Sequence, residues 1–157
     1  MNKIWLIAQT NGLRFEVDGS DLARAPMEEA DIEEVCSLDK RSLGFSRADD
    51  HRWWMKEMRG FTYRRGREMV GYACLDGGWI SPALSTDEET LVAIFADLSV
   101  VVEKDEVETA IFGGSRVLFQ ALLGAGFRIG PSKYSTVYAS SHGPLPANYV
   151  LHSDWLP

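Results

Sequence analysis

Between Ile4 and Ala8 every position is apolar, and after Asn11-Gly12 the chain alternates, with Leu13, Phe15 and Val17 separated by Arg14 and Glu16. A two-residue turn signal flanked by such runs predicts a β-hairpin over 3–17. Its first strand is apolar on both faces, which suits a buried strand, so it is expected to pack onto the domain's own sheet or across a homodimer interface. Asp18-Gly19 breaks the alternation, and Leu22 to Pro26 reads as a short extended entry. The period then changes. Over about 28–42, Ile32, Val35 and Cys36 share one helical face, with acidic residues in the first turn and Gly44 at the end. A second helix is expected over about 49–58, with Trp54, Met55 and Met58 on one face and Ser46 or Asp49 as its cap.

Three strands follow, near 61–65, 68–76 and 79–84, separated by Gly66-Arg67 and Gly77-Gly78. Turns that short join antiparallel neighbours. A third helix over 87–101 carries Leu91, Ile94, Phe95 and Leu98 at i, i+3, i+4, i+7. A charged loop leads into a strand near 107–112. A fourth helix over 115–125 stacks Val117, Leu118, Ala121, Leu122 and Ala125, and Gly126 stops it. A last strand is expected over 133–140, where Tyr134 and Tyr138 alternate with smaller residues, and the tail from Gly143-Pro144-Leu145-Pro146 reads as irregular. The expected division is a hairpin extension over 1–21 and one α/β domain over 22–157.

Composition narrows the partners. At 157 residues, 45% of them apolar, the chain fits one domain with a substantial core. A net charge of −7 speaks against nucleic acid, since phosphate contacts need clustered Lys and Arg. The one dense basic run, Arg64-Arg65-Gly66-Arg67, reads as a solvated hairpin end. No stretch approaches the ~20 apolar residues that span a bilayer, so no membrane partner is expected. The opening apolar run is too short for a secretory core, and the expected location is the cytoplasm. Cys36 and Cys74 offer neither a disulfide framework nor metal-site spacing, so both are expected to be reduced and no metal is expected.

Several local patterns carry a resemblance. Ala25-Pro26-Met27-Glu28-Glu29-Ala30-Asp31 resembles a first strand entering a first helix, Met69-Val70-Gly71-Tyr72-Ala73 a central "xVGxA" strand, and Gly124-Ala125-Gly126-Phe127 an "xxGF" closing a fourth helix. With the element order, these resemble the GCN5-related N-acetyltransferase (GNAT) superfamily over about residues 22–150. Gly44-Phe45-Ser46-Arg47-Ala48-Asp49-Asp50-His51 resembles the C-terminal copy of tandem GNAT proteins. The resemblance implies an α/β fold with a curved, mixed, largely antiparallel sheet flanked by four helices. It implies acyl transfer from acetyl-CoA to an amine. Pantetheine then lies between two splayed strands as though it were another strand, and pyrophosphate sits on amides of a Q/R-x-x-G-x-G/A loop at the third helix N-terminus. A Tyr of the fourth helix often serves as general acid, and a carboxylate or a water takes the amine proton.

The sequence departs from that pattern where the cofactor would bind. Ser81-Pro82-Ala83-Leu84-Ser85-Thr86-Asp87-Glu88-Glu89 has no glycine, Arg or Gln of the loop motif. Ser85 or Thr86 is expected to cap the third helix, with Glu88 or Glu89 completing a capping box. Leu122 stands at the usual Tyr position, Ser115 where an Asn commonly contacts the cofactor arm, and the strand from Trp79 to Leu84 supplies no carboxylate base. By position, Leu84, Ser85, Thr86 and Ser115 are the candidate cofactor residues, no catalytic residue is assigned, and acetyl-CoA is expected to bind weakly.

Other constellations have plain readings beside sharp ones. Asp49-Asp50-His51 suggests a metal corner, but consecutive residues on a helix start diverge, and capping explains them. Ser140-Ser141-His142 lacks the orienting acid of a triad. Gly113-Gly114-Ser115 suits an anion or, more simply, a strand-to-helix turn. The adjacent Trp53 and Trp54 cannot both face one core, so one lies at a contact surface. Phe45, Arg47, His51 and Trp53 are the candidate substrate-facing set, since the resemblance places the acceptor there. The same residues can instead pack the second helix against the sheet. Two functions stand: an N-acetyltransferase acting on an unidentified amine, or a non-catalytic GNAT-like module binding a small molecule or a protein.

Overall fold

The computed structural model describes residues 3–17, 21–112, 114–130 and 145–150. Its strands are β1 (Lys3–Gln9), β2 (Ala23–Pro26), β3 (Arg59–Arg65), β4 (Glu68–Asp76), β5 (Trp79–Ser85), β6 (Glu106–Phe112), β7 (Arg128–Ile129) and β8 (Tyr149–Val150). The helices are α1 (Ile32–Leu43), α2 (Ala48–Glu57), α3 (Glu88–Val101) and α4 (Arg116–Ala125). The sheet runs β2-β3-β4-β5-β6-β1-β7, with β8 added to β5. Every pairing is antiparallel except β5 with β6.

The meander β3-β4-β5 forms where the glycine turns require it. Gly66 and Gly77 adopt positive φ, which suits residues without a Cβ. Strand β4 is buried from Met69 to Leu75 because helices cover both faces of the sheet. Leu91, Ile94, Phe95 and Leu98 of α3, with Leu118 and Leu122 of α4, pack on one side. Ile32, Val35, Leu38 and Leu43 of α1 pack with Met69, Tyr72 and Leu84 on the other. A 3₁₀ turn (Glu29–Asp31) with a reciprocal capping box between Glu28 and Asp31 leads into helix α1, which ends at left-handed Gly44. Helix α4 likewise ends at Gly126.

Two expectations are corrected at the ends of the chain. Thr10–Gly12 form a 3₁₀ turn, and no strand covers 13–17, so the opening hairpin does not form. Arg14 N–H instead donates to Ala125 O, and Leu13 and Phe15 pack on the α3/α4 core. Strand β1 pairs along its whole length with β6 and, on its other edge, with β7. Its apolar run is thus inside this domain's own sheet. The tail expected to be irregular contains β8. The strand expected over 133–140 and the Ser140-Ser141-His142 run lie outside the described residues.

The β5/β6 contact sets the geometry used below. The two strands meet at Trp79 and Glu108, where Glu108 N–H donates to Gly78 O at 2.8 Å and Thr109 Oγ1 donates to Ile80 O at 2.9 Å. A Cβ on Gly78 would lie far inside van der Waals contact of the Glu106 carbonyl, whereas one on Gly114 meets nothing within 4 Å. Gly78→Ala is therefore expected to cost at least about 2 kcal/mol in urea unfolding. Gly114→Ala is expected to stay within about 0.5 kcal/mol.

Candidate functional site

Beyond Ile80 the strands β5 and β6 diverge into a fork. One edge of β5 pairs with β4 through Ala73↔Ala83, Tyr72↔Leu84 and Gly71↔Ser85. The opposite edge of the same residues, the one facing β6, pairs with β8 through Ala83↔Val150 and Leu84↔Tyr149. Ser85 N–H donates to Asn148 O at 3.2 Å, and Asn148 Nδ2 donates back to Ser85 O. Tyr149 and Val150 are buried, Tyr149 among the α1/α2 cluster and Val150 in the α3/α4 core. The fork is filled by the chain itself.

The start of α3 lies at the open end of this fork, and its polar groups are committed. The cap is Asp87 and not Ser85 or Thr86: Asp87 Oδ1 accepts from Thr90 N–H at 2.7 Å. That bond and one from Thr86 hold its carboxyl below the usual range, against the upward push of burial. Glu88 makes no capping box. Its Oε2 reaches across to the start of α4 and accepts from Val117 N–H at 2.9 Å and Leu118 N–H at 3.2 Å. Two helix N-termini, the natural anion sites of this region, are thus served by carboxylates. Of the four cofactor candidates, Leu84 is buried between Tyr72 and Tyr149 in the ladder, and Ser85 Oγ donates to Asp87 O at 2.6 Å. Thr86 Oγ1 donates to Asp87 Oδ2 at 3.1 Å, and Ser115 is buried ahead of α4. These groups are thus engaged within the chain, and β8 occupies the edge of β5 that faces β6.

Under α1 and α2, next to the fork, lies a buried polar cluster centred on Asp39, which has no exposed surface. Asp39 projects from the apolar stripe of α1, four residues after Val35. Its Oδ1 accepts from Tyr72 Oη at 2.7 Å and Arg47 Nη2 at 3.2 Å, and its Oδ2 from His51 Nε2 at 2.7 Å and Arg47 Nε at 3.3 Å. Arg47, at the start of α2, also donates to Tyr72 Oη and Tyr149 Oη, each at 2.6 Å. Its guanidinium lies 5.0 Å from the Trp54 ring centre, 5.1 Å from that of Tyr149 and 6.0 Å from that of Phe45. No side chain caps α2, because Arg47 takes the cap position and turns inward. His51 Nδ1 is buried without a hydrogen-bond partner.

The electrostatics follow from burial and pairing. Burial alone would raise the Asp39 carboxyl, but the His51 bond and the adjacent Arg47 charge hold it below its ordinary value. Burial alone would lower Arg47, and the Tyr72 and Tyr149 hydroxyls with the Asp39 carboxylate keep it raised. Burial pushes Tyr72 up, so its phenol stays a neutral donor. Of the substrate-facing candidates, Arg47 and His51 turn into this cluster and Phe45 flanks it, while Trp53 is 52% exposed. An open groove of about 560 Å³ crosses α1 and the start of α2, lined by Glu29, Glu33, Cys36, Lys40 and Arg52. Among the described residues no three His, Cys, Asp or Glu side chains stand together as a metal site. No helix there is long and apolar enough to cross a membrane. Sequence reasoning passed over Asp39, Tyr72, Asn148 and Tyr149; the available signal was a carboxylate on an apolar helical stripe.

Removing the charge of Asp39 leaves Arg47 buried and unpaired. Asp39→Asn is expected to lower stability by about 3 kcal/mol at neutral pH, read by urea unfolding. The folded value of Asp39 lies below the ordinary 3.8, so its stabilisation is present above that value and lost as pH falls through the lowered one. The gap between the two proteins should therefore close on the acid side, and a gap that widens there contradicts the assignment.

No family profile matches the sequence, and no curated protein matches it. Solved structures do. A Pyrococcus horikoshii protein described as a candidate acetyltransferase superimposes with a TM-score of 0.61 at 12% identity, over 98% of this chain and 51% of its own. A GCN5-related N-acetyltransferase from Kribbella flavida gives 0.55 at 13% identity, over 86% of this chain and 35% of its own. A functionally unknown conserved protein from Staphylococcus epidermidis gives 0.57 at 10%, over 82% of this chain and 57% of its own. The chain thus spans about half the length of the first structures it matches. The open, mostly antiparallel sheet and the four α-helices among the described residues agree with these likenesses: the chain has the fold of the GCN5-related N-acetyltransferases.

Proposed function

We propose that this chain is a GNAT-fold domain of acyltransferase type that is closed by its own strand β8 and acts by binding rather than by turnover of acetyl-CoA. The observation that supports it most is β8 on the β6-facing edge of β5, where the GNAT resemblance implies a pantetheine arm. The carboxylates of Asp87 and Glu88 at two helix N-termini add to it, since they take amides that a pyrophosphate needs and bring like charge to the same place. Hydrogen bonds to charged groups contribute about 1.5–3 kcal/mol each, so losing two or three weakens an anion by a few powers of ten.

The second reading, N-acetylation of an amine, is favoured by the fork itself and by likeness to structures named as acetyltransferases. The two readings part on one titration. Calorimetry with acetyl-CoA is expected to give a dissociation constant weaker than about 100 µM, with no acyl transfer to a panel of amines. A low-micromolar constant, or acetylated amine above the uncatalysed rate, overturns the binding reading in favour of the enzyme.

A further inference from the structure

We draw no further inference here: the strongest candidate, the half-buried sheet face that Trp5 and Ile7 of β1 form with Trp79 of β5 on the side away from the α3/α4 core, is an apolar face with nothing in the structure to show what covers it.

Discussion

The guanidinium of Arg47 is the constraint around which the rest of this molecule is arranged. It is a cation held among Asp39, Tyr72 and Tyr149, against three aromatic rings, with little access to water. A charge in such a place is tolerated only when its partners are fixed. Asp39 is fixed by α1, Tyr72 by the centre of the sheet and Tyr149 by β8, so one side chain joins two helices, the meander and the last described strand. Burial opposes the charges of Asp39 and Arg47, and it is outweighed by His51 and Arg47 around Asp39 and by Tyr72, Tyr149 and Asp39 around Arg47.

The second constraint is the fork. A parallel contact between β5 and β6 at one point, followed by divergence, leaves a strand edge that must find partners. In this chain the partner is Asn148–Val150. The carboxylates of Asp87 and Glu88 then close the polar end, each taking helix amides in place of an external anion.

Much of the fold was legible because local signals and burial agreed. Gly66 and Gly77 set the meander, Gly44 and Gly126 ended helices, and the stripe of Leu91, Ile94, Phe95 and Leu98 placed α3. The opening hairpin was misread because Asn11-Gly12 is a strong turn signal in isolation. The first run instead pairs with β6, more than ninety residues later, and no local pattern reports that. Strand β8 was hidden for the same reason: two residues after a proline-rich approach carry no periodicity, and their order comes from the edge of β5. The site was legible in part. Arg47 and His51 were singled out because the GNAT resemblance places the acceptor there, with packing of the second helix against the sheet as the other reading, and both side chains turn into the buried cluster. Asp39 on an apolar stripe was the missing clue to where they point.

A double-mutant cycle between Arg47→Met and Tyr149→Phe, read by urea unfolding, tests most directly whether the buried cation holds the last strand in the fork. The account predicts a coupling energy of about 1–3 kcal/mol, as for contacting partners in one buried network. Additive effects within about 0.3 kcal/mol, the behaviour of independent sites, would contradict it.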